Sequence, residues 1–201
     1  NDLESNLIAA LCGTYAINQN DPQAPFQSFE EASSILVQAG VTCPVTFNVA
    51  PGFYEEAFSI SQIPGASAVN TVTFQSTTGD SSTVTVNNSN PSSSNNFTLN
   101  LAGASHLQFK SLSIQRINFD YICVNIQTET SNILFENCAL GSVRAPGTGK
   151  VNGLSFINNN MANSYISIGE YWYYSTDENR NKNIIVSGNN LRYLDLFNIE
   201  S

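Results

Sequence analysis

Basic residues and histidine are scarce in this 201-residue chain. It has 7 Lys and Arg against 16 Asp and Glu, a formal net charge of −9, and charged residues make up only 11% of the sequence. Seven basic side chains cannot form the phosphate-contacting surface of a typical nucleic-acid-binding protein. No apolar run approaches the length of about 18 residues that a transmembrane helix needs. Because His106 is the single histidine, a metal site built from several histidines is excluded.

Cysteine is also infrequent, with four residues at Cys12, Cys43, Cys123 and Cys138. None of them is spaced as CxxC, which excludes a zinc ribbon or a thioredoxin-type pair. An even number of cysteines is consistent with an oxidising compartment. The pairing we favour is Cys12–Cys43 with Cys123–Cys138, because each pair is close in sequence. Four cysteines allow three pairings, and buried free thiols are the alternative.

The remaining composition favours strands joined by tight turns. Asn, Ser and Thr together make up about a third of the chain, and these residues compete with helical hydrogen bonding. One amphipathic helix is predicted over residues 28–39, where Ser28 and Glu31 form a capping box and Gly40 follows the last turn. After Gly40 the apolar period changes to two, as in Val45, Phe47 and Val49.

From residue 106 onward the strands form a repeat. Four segments that begin at His106, Asn132, Gly153 and Asn183 align with one another. Three apolar columns and one column of small or turn-forming residues result: Leu107, Ile133, Leu154 and Ile184; Phe109, Phe135, Phe156 and Val186; Ile114, Leu140, Met161 and Leu191; and Ser111, Asn137, Asn158 and Gly188. Repeats of 21 to 30 residues, counted between these segments, are typical of a solenoid.

We therefore predict an all-β fold, a right-handed parallel β-helix with an N-terminal amphipathic capping helix. The chain is expected to form one domain over residues 1–201, with a cap over 1–43 that places the helix before the first strand, and coils over 44–201. A β-sandwich is the alternative, since alternation alone does not distinguish the two folds. Because residues 191–199 still have the pattern of a coil, we expect a longer protein or a partner to cover the last coil.

Four segments resemble the start of a known group of proteins: residues 13–17, 26–40, 44–52 and 63–76. They resemble secreted right-handed parallel β-helix proteins, of pectin-lyase-like fold, among the large adhesin-type surface proteins of Bacteroidetes-type bacteria. The resemblance implies a secreted or cell-surface protein. It implies the fold more strongly than any activity, because β-helices carry both lyases and plain binding surfaces.

No catalytic motif of that fold is complete in this sequence. The segment Arg144–Gly149 begins like the lyase pattern R-x-P-x-x-R but has Gly149 at the second arginine position. The paired aspartates of an inverting hydrolase do not occur as Asp-Asp or Asn-Thr-Asp. Residues 177–181 alternate like a calcium loop, yet Lys182 stands where the turning glycine belongs. No cofactor is therefore predicted, with calcium as the alternative.

One aromatic cluster stands out as a candidate binding site. Tyr171, Trp172, Tyr173 and Tyr174 are consecutive, and the neighbouring polar residues are Glu170, Asp177 and Arg180. Aromatic faces beside carboxylates and amides are typical of polysaccharide binding. The alternatives are that these rings cover a flank of the β-helix or contact a protein partner.

Two functional hypotheses follow. The first is a non-catalytic, adhesin-like module that presents loops to a glycan or a protein, with no nucleic-acid partner and no membrane span. The second is a carbohydrate-active enzyme, either a polysaccharide lyase or a glycoside hydrolase. The acidic composition disfavours the second, since an anionic polymer would be repelled without a basic cleft or calcium.

Overall fold

A computed structural model describes residues 9–92, 95–116, 122–127, 129–145, 151–169, 181–197 and 199. Within these ranges there is one α-helix, α1 (Phe29–Ala39), and a short 3₁₀ turn at Ser81–Thr83. The strands are β1 (Leu11–Ile17), β2 (Val41–Val49), β3 (Gly52–Glu55), β4 (Phe58–Ser61), β5 (Val72–Ser76), β6 (Val84–Asn87), β7 (Leu99–Ala102), β8 (Ser105–Lys110), β9 (Ser113–Gln115), β10 (Val124–Ile126), β11 (Ser131–Glu136), β12 (Ala139–Leu140), β13 (Val143–Ala145), β14 (Asn152–Ile157), β15 (Asn160–Ile168), β16 (Ile185–Ser187) and β17 (Asn190–Leu196).

The strands form three parallel stacks. The first stack has the order β1-β2-β5-β8-β11-β14-β16, the second contains β3-β6-β9-β12-β15, and the third contains β4-β7-β10-β13-β15. The long strand β15 belongs to the second and third stacks, and β17 pairs with it. Every ladder between named strands is parallel, which confirms the parallel β-helix and excludes the β-sandwich.

Stacked phenylalanines form the centre of the core. The predicted column of Phe109, Phe135 and Phe156 extends towards the N-terminus through Phe74 to Phe47, and the side chains are fully buried. Successive ring centroids lie 4.6, 5.6, 5.0 and 5.4 Å apart and the rings are nearly parallel. Because strands in a sheet lie about 4.8 Å apart, one aromatic residue per coil fills the column without gaps.

The turns after the first stack carry a ladder of amides. The Asn159 Nδ2 donates to the carbonyl of Phe135 at 3.0 Å, and the Asn189 Nδ2 donates to that of Phe156 at 2.7 Å. Cys138 occupies the same column one coil earlier, and its Sγ donates to the carbonyl of Phe109 at 3.3 Å. These side chains satisfy carbonyls that the turn removes from the strand ladder.

The helix α1 matches the predicted range and lies against the third stack at β4. The Ser28 Oγ accepts the backbone N–H of Glu31 at 3.0 Å, as the capping box predicts. The predicted order was wrong in one respect: β1 precedes the helix and already pairs with β2, which begins at Val41. The chain therefore forms a first strand of the β-helix before the helix covers the end of the third stack.

The cysteine prediction is half confirmed. Cys12 and Cys43 form a disulfide between β1 and β2, with a Cα–Cα distance of 4.9 Å. Closing a 31-residue separation stabilises the fold by roughly 3–4 kcal/mol in the chain-entropy model. The predicted Cys123–Cys138 bond is wrong, since both residues are buried free thiols. Each thiol instead contacts a backbone carbonyl, Cys123 that of Ile114 and Cys138 that of Phe109.

The last described coil is less buried than the coil beneath it. Leu194 and Leu196 are 43% and 39% exposed, while their register partners Ile166 and Ile168 are 0% exposed. Positions that are buried in β15 are therefore partly exposed to solvent in β17. Among the described residues, no helix has the length and apolarity that crossing a membrane requires.

Candidate functional site

The predicted aromatic cluster lies outside the described residues. Glu170, Tyr171, Trp172, Tyr173, Tyr174, Asp177 and Arg180 all fall within 170–180. The described chain stops at Gly169 and resumes at Asn181, between the third stack and the first. The Asn181 Oδ1 accepts the backbone N–H of Val151 at 3.3 Å, and its Nδ2 donates to the carbonyl of Phe197. The Asn181 amide, at the end of the segment 177–181 that resembles a calcium loop, therefore hydrogen-bonds the backbone.

A different corner of the β-helix carries the irregular segments of the described chain. We call it the loop corner: the described residues of the connections from the second stack to the third, which belong to the segments 56–57, 88–98 (without 93–94), 116–123 (without 117–121), 141–142 and 162–164. Two of these connections are long insertions, whereas 56–57 and 141–142 are the two-residue turns of regular coils. In β15, residues 162–164 stand where the next coil has Arg192 alone, so this strand bulges at the corner.

Side-chain amides and hydroxyls fix the first insertion, 88–98. The buried Asn88 donates its Nδ2 to the carbonyls of Asn95 and Phe97, at 3.1 and 2.7 Å. The Thr98 Oγ1 donates to the carbonyl of Gln115 at 2.7 Å, in the coil above. The segment that precedes β7 is therefore tied both to its own start and to the next coil.

Arg116 connects the two insertions. Its guanidinium donates from NH1 to the carbonyl of Asn96 at 2.8 Å and to that of Ile122 at 3.3 Å. Asn96 belongs to the first insertion and Ile122 to the second. One arginine therefore holds the backbones of two neighbouring coils together at the loop corner.

Two depressions lie at the loop corner. The first, the corner cleft, has a volume of about 200 Å³ and lies between Arg116 and the bulge of β15 at residues 162–164. Its lining is mainly polar and includes Gln115, Arg116, Ser142, Asn160, Asn163 and Ser164. Arg116 supplies the positive charge of this cleft.

The second depression, the helix groove, has a volume of about 420 Å³. It lies between α1 and the outer side of β4, and the segment 95–97 closes one end. Ser33, Ser34, Ser59, Ser61, Gln38 and Asn95 contribute its polar groups, and Val37, Phe58 and Phe97 are among its apolar walls. Glu30 is the charged residue of its lining.

Two polar atoms of the helix groove have no hydrogen-bond partner among the residues that the structure describes. These are the Oγ of Ser33 and the Oδ1 of Asn95, both buried from solvent. Ser33 as a whole is 1% exposed. Buried polar atoms are satisfied in the great majority of cases, and an unsatisfied one costs about 1–3 kcal/mol. Such atoms therefore indicate a position for water or a ligand.

Glu56 sets the position of the helix beside the groove. Its two carboxylate oxygens accept the backbone N–H groups of Phe29 and Glu30, at 3.0 and 2.8 Å. Burial raises the pKa of this carboxyl above its ordinary value, more than the two backbone donors lower it. The first turn of α1 is therefore held by a side chain of the loop corner itself.

The described residues contain no group of three or more His, Cys, Asp and Glu side chains that could hold a metal ion. The free thiols are unsuited to nucleophilic chemistry, because burial raises the pKa of Cys123 to about 12 and that of Cys138 to about 11. What both depressions offer is a set of hydroxyl and amide groups on a fixed backbone, an arrangement suited to binding.

No protein-family model matches this chain, and no curated protein matches it. Among solved structures, it is similar to the crystal structure of the pectin methylesterase from Aspergillus niger in deglycosylated form. The TM-score is 0.47 at 12% identity, over 96% of this chain and 86% of that one. The assignment of the fold rests on the strand pairings, and nothing about function is drawn from this likeness.

Sequence reasoning did not find either depression. The turn-forming stretch 87–96 is visible in the sequence, and its length relative to other turns was the available signal. Ser33 gave no signal, because a serine within a helical pattern is indistinguishable from a solvent-facing residue until its neighbours are known.

Proposed function

We propose that this chain is a non-catalytic, adhesin-like β-helix module that binds a glycan at the loop corner. The observation that carries the proposal is that both depressions combine hydroxyl and amide groups with apolar side chains, on a backbone fixed by Asn88, Thr98 and Arg116. Sugar hydroxyls both donate and accept hydrogen bonds, so such a lining complements them. Apolar walls such as Phe97 suit the C–H faces of sugar rings.

A secreted or cell-surface location is part of the proposal. The Cys12–Cys43 disulfide favours an oxidising compartment. The sequence resemblance to surface proteins of Bacteroidetes-type bacteria supports the same placement. The partly exposed Leu194 and Leu196 of the last coil are proposed to be covered by further coils or by a protein partner.

The test is a binding and turnover assay with a panel of neutral and acidic polysaccharides. We expect saturable binding of at least one of them, without new reducing ends or unsaturated products. A variant with both depressions filled, Ser59→Trp with Ser164→Trp, should lose binding. The control Ser155→Trp, on the outer face of β14, should retain it. Turnover, above all turnover sensitive to a chelator, would overturn the proposal in favour of a lyase or hydrolase.

The aromatic cluster is tested in the same assay. Trp172→Ala should reduce glycan binding if Tyr171, Trp172, Tyr173 and Tyr174 extend the binding surface, as the sequence hypothesis holds. Loss of all binding in Trp172→Ala, together with full binding in the doubly filled variant, would place the glycan site in residues 170–180 and not at the loop corner.

A further inference from the structure

We propose that the helix groove, and not the corner cleft, is the site that takes a neutral saccharide. This inference rests on the proposed function, and it assigns the ligand class and the site within the loop corner.

The two unsatisfied atoms of the groove define what the ligand must provide. The Asn95 Oδ1 is an acceptor and therefore requires a donor, while the Ser33 hydroxyl can donate or accept. A sugar ring carries several hydroxyls that serve both purposes. The Ser33 Oγ is buried from solvent, so the proposal requires a rotamer change of this small side chain on binding, a change that is common at interfaces.

Charge excludes an acidic sugar from this groove. The described residues of its lining include the carboxylate of Glu30 and no Lys, Arg or His, and the whole chain carries a net charge of −9. A uronate would therefore be repelled, whereas a neutral sugar would not. The corner cleft differs in this respect because Arg116 lines it.

The dimensions of the groove also suit a short oligosaccharide. Its volume of about 420 Å³ lies within the range of about 300–1,000 Å³ for small-ligand sites. The helical wall runs from Glu30 to Gln38, a rise of about 12 Å along α1. One sugar ring in the groove would leave its neighbours beside the outer face of β4.

A row of hydrogen-bonded polar side chains leads out of the groove along the third stack. The Asn100 Nδ2 donates to the Ser59 Oγ at 3.4 Å, and the Asn125 Nδ2 donates to the Asn100 Oδ1 at 2.8 Å. These residues are register partners in successive coils, so they are spaced by about 4.8 Å. A chain that leaves the groove would follow this uncharged row of one hydroxyl and two amides, in which Asn100 is buried and the other two are more exposed.

The experiment is a titration of the full chain with cello-, xylo-, manno- and chito-hexasaccharides and with an oligogalacturonide, followed by calorimetry and by amide NMR. We expect a neutral hexasaccharide to bind and to shift the backbone amides of Ser33, Val37 and Ser59. Ser59→Trp, which fills the groove, should weaken that binding by more than about tenfold. Ser164→Trp, which fills the corner cleft, should leave it unchanged. Ser167→Trp is the matched control, because Ser167 lies in the same outward column as Ser59, in β15.

A second variant tests the buried hydroxyl independently of groove filling. Ser33→Ala removes an oxygen that has no partner in the free protein, so its melting temperature should equal or exceed that of the wild type. The same change should weaken binding of the neutral hexasaccharide by about three- to tenfold, since a hydrogen bond to the ligand is lost. Opposite effects on stability and binding are not expected of a merely structural residue.

The outcomes separate this inference from the function on which it rests. If none of the polysaccharides binds, the proposed function is overturned. Binding that survives Ser59→Trp and Ser33→Ala but not Ser164→Trp, or binding of the oligogalacturonide alone, would overturn the groove assignment and leave the function standing. Shifted amides around Ser33 together with loss of binding in Ser59→Trp would support both.

Discussion

Left-handed backbone recurs at two fixed positions in the coils of β8, β11, β14 and β16. Residues at one end of the first-stack strands have positive φ at His106, Asn132, Gly153 and Asn183, and those at the other end at Ser111, Asn137, Asn158 and Gly188. Glycine adopts this conformation without cost and asparagine with little, whereas other residues pay about 1–2 kcal/mol. Asparagine therefore suits four of these bends, at Asn132, Asn137, Asn158 and Asn183.

Asn137 allows this cost to be measured, because it is exposed and has φ 54°. Asn137→Ala should lower the free energy of unfolding by about 1 kcal/mol, since alanine is strained in the left-handed region. Asn137→Gly should remain within about 0.5 kcal/mol of the wild type. The measurement is denaturant unfolding of the three proteins. Equal stabilities of the alanine and glycine variants would contradict a backbone origin.

Cys123 and Cys138 should resist alkylation in the folded protein. At pH 8 without reductant, we expect iodoacetamide to modify neither thiol in native protein, two thiols in denaturant, and four after reduction, as counted by mass spectrometry. Since folding raises both pKa values, to about 12 and about 11, the stability from the neutral thiols is full below about pH 8.5 and is lost as the pH rises towards 12. Rapid labelling of native protein would contradict their burial.

At the scale of elements, α1 is held at both ends by residues distant in sequence. Glu56 accepts two N–H groups of its first turn. At the other end the Gly40 N–H donates to the carbonyl of Leu36 at 2.9 Å, and the backbone then turns with φ 72° against Pro64. The cap and the groove beside it therefore depend on contacts with the first coil.

Gly40 and Gly79 separate conformational strain from crowding. Both have φ close to 71°, but a Cβ at Gly40 would lie 2.5 Å from the Pro64 carbonyl oxygen, whereas a Cβ at Gly79 would meet nothing within 4 Å. Gly79→Ala should cost about 1 kcal/mol, the strain alone. Gly40→Ala should cost at least about 2 kcal/mol, since Pro64 must also move. The measurement is thermal unfolding of both variants. Equal losses of stability would show that Pro64 moves aside without a cost in free energy.

At the scale of the whole molecule, each coil is stabilised mainly by its neighbours. Phe109 stacks between Phe74 and Phe135, with centroid distances of 5.6 and 5.0 Å. Val186 continues the same column at its end and is only partly buried. Stability should therefore decrease along the axis towards β16 and β17.

Native-state hydrogen exchange should reveal that gradient. Backbone amides of the central strands β5, β8 and β11 should exchange more than about tenfold more slowly than those of β16 and β17, because opening the last coil disrupts contacts on one side only. Mass spectrometry of peptides, normalised to exchange of the unfolded chain, is the measurement. Uniform protection from β5 to β17 would mean that the coils open as one unit.

Much of the fold could be predicted from periodicity, whereas the candidate site could not. The phenylalanine and leucine columns, the helix with its Ser28 cap and one disulfide follow from local spacing. The order of β1 and α1 was predicted wrongly because residues 11–17 were assigned to the cap. The loop corner was missed because 88–98 and 116–123 are unrelated in sequence and adjoin only when the coils stack.

The sequence by itself determined which residues form the apolar columns and that they recur every 21 to 30 residues, because side chains of matching period must be buried together. The choice between a parallel β-helix and a β-sandwich was made by the strand pairings. Tertiary structure decided the rest. It left Cys123 and Cys138 as free thiols, and it placed Glu56 at the start of α1. It also brought Ser33 to the wall of a groove closed by Asn95. These contacts join residues that local patterns treat as independent, because coil lengths and loop paths, not side-chain periodicity, determine which of them meet.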